Sequence, residues 1–156
     1  MMKLDKLLYP TDFSELSLAA LPYAIQLARD FDAELHCLHV VDESYQYWMG
    51  AGDNVAPTII PVDEVRESGR KQFEEFVAKH LAEDKGRLVT ELVMGRPFVE
   101  IIRYSQKHDI DMIVIATHGR GGLASMLLGS VAEKVVRKSP CPVLTVRHPE
   151  HKFEMP

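Results

Sequence analysis

Two hydrophobic periods alternate along the chain. Leu4 to Tyr9 is short, mostly apolar and closed by Pro10, which predicts a strand. Ser14 to Phe31 places Leu16, Ala20, Tyr23, Leu27 and Phe31 at three- and four-residue spacing, the mark of one helix face. Ser14 suits the N-cap, and Pro22 removes a backbone donor, so a kink is expected near Leu18. ELHCLHVV, Glu34 to Val41, returns to an apolar, strand-like run. Asp42 to Pro61 then shows no period, and about 20 residues of this kind inside a compact domain usually form a lid, a binding loop or a disordered segment.

A second helix is predicted over Val62 to Leu81, with Val62, Val65, Phe73, Phe76, Val77 and Leu81 facing inward. Arg87 to Met94 reads as a third strand. Thr90 and Glu91 inside it mark it as an edge. Gly95 and Pro97 open a third helix, because proline suits the first helical position. MIVIA, Met112 to Ala116, is an unbroken apolar run that suits a strand covered on both faces. Ser130 to Lys138 is a fourth helix, PVLTV (Pro142 to Val146) a fifth strand, and HPEHKFEMP a polar tail expected to be loose.

This β-α-β-α-β-α-β-α-β order predicts an α/β fold, a single doubly wound domain with a parallel sheet and helices on both faces. Two strand orders are natural for five strands. In either, ligands bind past the carboxyl ends of the strands, where the order reverses. Those ends are Pro10-Thr11-Asp12 and Thr117-His118-Gly119.

Composition narrows the partners. The 156 residues suit one core, and 46% apolar with 26% charged residues is an ordinary globular balance. The formal net charge of −5, with no local run of Lys and Arg, argues against nucleic acid. No apolar run reaches the roughly 20 residues of a membrane span. The opening MMKLDKLLYPTDFSE meets Asp5 and Lys6 before any signal-like apolar stretch develops, so a cytoplasmic location is expected. The two cysteines, Cys37 and Cys141, make no disulfide framework.

The chemistry concentrates in IATHGRGGLASMLLGSVAEK, Ile115 to Lys134. Gly119, Gly121 and Gly122 permit positive φ and leave backbone N–H groups uncovered. Gly129 lets a ligand come close to the fourth helix, whose first turn offers the Ser130 hydroxyl and the amides of Val131 and Ala132 to an anion. The same Ser130-Val131-Ala132-Glu133 is also a capping box that needs no ligand. The two readings are compatible. Gly119 to Ala124 formally matches the dinucleotide fingerprint G-x-G-x-x-A, but it follows the fourth strand and lacks the acidic residue expected about 20 positions on. No P-loop lysine follows a suitably spaced glycine. Asp12 is the acidic residue placed to accept ribose hydroxyls or hold a metal, against an Asx turn or a cap for the first helix. His36, with Cys37 and His39 on the opposite strand face, reads as packing rather than a metal site. Cys141 has no arrangement of a nucleophile around it, and Tyr45, Tyr47 and Trp48 could close over a flat ring, meet another subunit or pack locally against the second helix.

YPTDFSELSLAALPYAIQLA, LHVVDE, VMGRPFVEII, DMIVIATHGRGG and LLGSVAEKVVRKSPCPVLTV together resemble the universal stress protein family, ATP-binding branch, over nearly the whole chain. The branch pattern G-2x-G-9x-G-[S/T] falls on Gly119, Gly129 and Ser130, with Ala116 standing where the first glycine is usual. The resemblance implies the strand order 3-2-1-4-5 and a domain over 1–148 with a flexible tail, 149–156. It implies a nucleotide site built from Pro10, Thr11, Asp12, Val41, Ala116, His118, Gly119, Arg120, Gly129, Ser130 and Val131. Thr11 and Asp12 would hold adenosine, Val41 would meet the adenine edge, and the Gly119 loop and Ser130 would meet the phosphates. The implied cofactor is ATP, with Mg or Mn. The implied assembly is a homodimer through Pro142, Val143, Leu144, Thr145 and Val146. No catalytic or metal-ligating residue is assigned. A slow ATP hydrolase or self-phosphorylating enzyme, and a partner-binding dimer without nucleotide, are the alternatives to an ATP-binding stress regulator.

Overall fold

Five strands lie side by side in parallel in the computed structural model, which describes residues 3–42, 60–119 and 128–149. In chain order the elements are β1 (Lys6–Thr11), α1 (Glu15–Leu18), α2 (Leu21–Asp30), β2 (Glu34–Asp42), α3 (Val62–His80), a 3-10 turn (Ala82–Asp84), β3 (Leu88–Gly95), α4 (Pro97–Lys107), β4 (Met112–Ala116), α5 (Ser130–Lys138) and β5 (Val143–Val146). The sheet order is β3-β2-β1-β4-β5. Arg120, Gly121, Gly122, the aromatic residues Tyr45, Tyr47 and Trp48, and residues 150–156 lie outside the described residues.

The apolar runs of β1 and β4 follow from burial on both faces. Leu7, Tyr9, Val114 and Ala116 point into one cluster with Leu21, Ala24 and Ala28 of α2 and Phe73 and Phe76 of α3. Leu8, Ile113 and Ile115 point into the other, against Ile101 and Tyr104 of α4 and Ala132 and Val135 of α5. Leu7, Leu8, Leu35 and Leu38 are fully buried, each contributing roughly 1.5–3 kcal/mol by leaving water. β3 is half-buried and sits at one edge, as its mixed pattern predicts, and β5 sits at the other.

The first helix is two helices. Ser14 caps α1 by accepting from the Ser17 N–H at 3.2 Å, and α1 stops at Leu18. α2 restarts at Leu21 with Pro22 in its first turn, where a missing N–H costs nothing. The restart shifts the buried stripe. Ser17, Leu21, Ala24 and Ala28 face the sheet, whereas Leu16 is only half-buried and Tyr23 and Phe31 are exposed. The small Ala24 and Ala28 let α2 lie close to β1. Val62 is also exposed, at the first turn of α3. At Gly95, φ is 150° and an added Cβ would sit 2.8 Å from Glu100 Cγ, so only glycine turns the chain from β3 into α4.

Strand pairing opens the sheet at one place. β1 pairs with β2 over its whole length, from Lys6↔Glu34 to Thr11↔His39. With β4 it pairs only at Leu7↔Met112 and Leu8↔Ile113. Pro10 has no N–H to carry the second ladder further. The β1–β4 ladder therefore ends before the carboxyl ends of the two strands, at the point where the strand order reverses.

Candidate functional site

A cleft of about 720 Å³ occupies that opening. It is lined by Pro10, Thr11 and Asp12 after β1, Val41 at the end of β2, Ala116, His118 and Gly119 after β4, and Gly129, Ser130 and Val131 at the start of α5. All the expected site residues within the described segments thus share one cavity. Arg120 lies outside those segments. The cavity is within the size range of small-molecule sites.

The turn after β1 is tied to itself. Asp12 Oδ1 accepts from the Ser14 N–H at 2.9 Å and from the Ser14 hydroxyl at 2.5 Å, an Asx turn. Thr11 Oγ1 accepts from the Phe13 N–H at 3.1 Å and lies 3.1 Å from Ser17 Oγ. The Thr11 side chain is buried, and its hydroxyl is engaged within the turn. Phe13 adopts φ 64°, an uncommon conformation for a bulky residue, and its ring stacks on His39 at 4.0 Å. His39 Nδ1 donates to the Thr11 carbonyl at 2.8 Å, which fixes that ring nitrogen as the protonated one.

Gly119 faces Asp12 directly. A Cβ at this position would overlap the Asp12 carboxylate. Its φ is not in the left-handed region, so what a side chain would meet here is the Asp12 carboxylate, not the conformational penalty the sequence suggested. Gly129 differs in the same way. Its N–H donates to the Thr117 carbonyl at 2.6 Å, and a Cβ would come within 3.0 Å of that oxygen. The close approach that Gly129 permits is to the chain's own backbone, at the end of β4.

The expected capping box is absent. Gly129 is the N-cap of α5 and Ser130 its first helical residue, so the Ser130 side chain does not cap. Glu133 pairs instead with Arg137, one turn on, at 3.0 Å. The first-turn amides of Ser130, Val131 and Ala132 have no acceptor within the helix, and this end of the helix carries partial positive charge. It opens on the cleft. Ala116, the departure from glycine, is buried in the core cluster that also holds Val114 and Val146. It also borders the cleft.

Sequence reasoning missed Phe13 and Gly69. A Cβ on Gly69 would meet Val41 Cγ2 at 3.0 Å, so this glycine lets α3 close down beside the end of β2. Its only signal was a glycine inside a helical pattern. Phe13 gave no signal, because a left-handed φ at phenylalanine is not written in its neighbours. The two cysteines are free, and burial pushes the Cys37 thiol well above its ordinary range. His36 and His39 do face opposite sides of β2. His36 meets Tyr104 at 2.9 Å and His39 meets Phe13. Among the described residues no group of three His, Cys, Asp or Glu is placed to hold a metal, and no helix is long and apolar enough to cross a membrane.

Comparison with known proteins gives a consistent picture. The universal stress protein family model matches residues 3–147. Universal stress protein MJ0531 of Methanocaldococcus jannaschii is 38% identical over 146 residues, covering 93% of this chain and 83% of that protein. The solved structure of UspA from Lactobacillus plantarum is 28% identical, with a TM-score of 0.69, and covers 94% of this chain and all of that one (100%). A universal stress protein from Archaeoglobus fulgidus, solved in complex with dAMP, has a TM-score of 0.63. It covers 94% of this chain and 100% of that one, and at 17% identity it shows the likeness of fold alone.

Proposed function

The chain belongs to the universal stress protein family, and from that premise we propose that it is a stress-response regulator that binds an adenine nucleotide, ATP foremost, in the cleft between β1 and β4. The observation that carries this reading is the cleft itself. One cavity joins a held carboxylate, Asp12, to the amide-bearing start of α5, across an apolar floor that includes Val40, Val41 and Ile115. Those three surfaces suit a ribose, a phosphate chain and a flat base in turn. The dAMP bound to the Archaeoglobus protein supports the same class of ligand.

Asp12 accepts ribose hydroxyls in this reading, and Val41 meets the adenine edge through its backbone. The phosphates lie over Gly119 and the first turn of α5, where N–H groups without an acceptor in the helix and the helix dipole favour negative charge. Mg or Mn, implied by the family likeness, would travel with the triphosphate. The protein is a cytoplasmic homodimer joined along β5, the exposed sheet edge from Val143 to Val146. Its output is a ligand-dependent change of population between two states.

Calorimetric titration with ATP, AMP and cyclic AMP tests this reading. Saturable binding of at least one of them is expected. Silence from all three at roughly millimolar ligand would overturn it.

A further inference from the structure

One imidazole holds the residues on both sides of Asp12. His39 Nδ1 donates to the carbonyl of Thr11, the preceding residue, at 2.8 Å. The face of the same ring stacks on Phe13, the following residue, at 4.0 Å with the planes 30° apart. Phe13 sits at φ 64°, where a bulky side chain is disfavoured unless its surroundings hold it. Phe73 and Phe76 close around the Phe13 ring, with centroids at 5.6 and 5.3 Å. The register Thr11↔His39 places this clamp at the last paired step of β1 and β2, so beyond it the turn has no strand partner to hold it. The Asp12 carboxylate is the atom group that gains, because it must point at Gly119 while staying bound to Ser14.

We propose that His39 is a positioning residue for the nucleotide site. It acts through Asp12, by fixing the turn that aims this carboxylate at the vicinal hydroxyls of a nucleoside. The proposal rests on the adenine-nucleotide reading of the cleft. A buried site gains affinity when its polar groups are held in place before the ligand arrives. His39 supplies that hold by one hydrogen bond and one stacking contact, and neither needs the ligand.

The experiment is a double-mutant cycle on nucleotide affinity, with melting temperature followed in parallel. His39→Phe keeps the ring but removes the donor, and should raise the Kd for ATP roughly tenfold, the scale of one lost orienting hydrogen bond. His39→Asn can still donate to the Thr11 carbonyl but gives up the stack on Phe13, so it should recover only part of that loss. In an Asp12→Ala background, His39→Phe should change Kd by under about twofold, because the group it aims is gone. Phe13→Leu removes the stack from the other side and should behave the same way, which keeps the test available if a His39 variant folds poorly. Equal fold-losses with and without Asp12, or variants that lower the melting temperature at an unchanged Kd, would overturn the positioning role alone. A wild-type protein that binds no adenine nucleotide would overturn the functional reading and this role with it.

Discussion

The sheet has a depression at each end, and the two are built in opposite ways. At the amino ends of the strands, a hollow of about 370 Å³ is lined by Asp32, Glu34, Glu83, Asp84 and Arg87. Its charges are already matched. Arg29 grips the buried Asp84 through two hydrogen bonds of 2.8 and 2.9 Å, and Arg87 reaches Asp32 at 3.3 Å. Nearby, Asp111 Oδ2 accepts from the backbone N–H groups of Asp5 and Lys6, and His36 pairs with Tyr104. At the carboxyl ends, the larger cleft is lined by apolar side chains, the Asp12 turn and the start of a helix. Concavity alone does not make a site. What separates the two ends is the make-up of the wall: paired charges in one hollow, and in the other a largely apolar surface that ends at a self-bonded turn and the start of a helix.

The strongest blow to that contrast should come from Gly129→Val. The backbone at Gly129, φ −67° and ψ 160°, suits any residue, so no backbone strain adds to the steric cost. The new side chain meets the Thr117 carbonyl at 3.0 Å, and about 1–3 kcal/mol of stability should be lost through overpacking. Urea unfolding should show a lower midpoint together with weakened nucleotide binding, since the start of α5 is pushed from β4. Loss of binding at an unchanged midpoint would mean that Gly129 makes room for ligand rather than for backbone.

Tyr104→Phe should sharpen the comparison from the other end. It leaves His36 Nδ1, buried in the sheet, without the hydroxyl at 2.9 Å, and should cost about 1 kcal/mol in urea unfolding. ATP affinity should not change. A weakened affinity would show that the two ends are coupled through the sheet.

The smallest effect concerns pH. Burial, the dominant cause, lowers the His36 pKa below its ordinary value of 6.5, against a weaker opposing pull from Glu34. The unfolded chain therefore binds this proton more readily than the folded one. The His36 contribution to stability is intact above pH 6.5 and is lost as pH falls from there through the depressed folded value. Unfolding measured from pH 7.5 to 5 should decline less steeply in His36→Phe than in the parent. Parallel profiles would place the acid sensitivity elsewhere.

Much of this architecture was legible because burial writes itself into strands. The runs at Met112 to Ala116 and Ser130 to Lys138 define β4 and α5 to the residue. The first helix was misread in phase, since one period was carried across Pro22, and α2 restarts there with Ala24 and Ala28 inward instead of Tyr23 and Phe31. At the candidate site, the residue types pointed to the right loops while their neighbours stayed hidden. Nothing local in the sequence says that Gly119 yields to Asp12, that Gly129 yields to Thr117, or that Gly129 rather than Ser130 caps α5. Those facts depend on residues brought together from distant parts of the chain, which spacing does not encode.

The early end of the β1–β4 ladder has a consequence of its own. A proline in an interior strand is normally a defect, and here the missing donor of Pro10 ends one ladder early while the ladder on the other side runs on. The crevice is thus cut into the main chain itself. Its place in the sheet is set by which strands pair and by where that pairing stops.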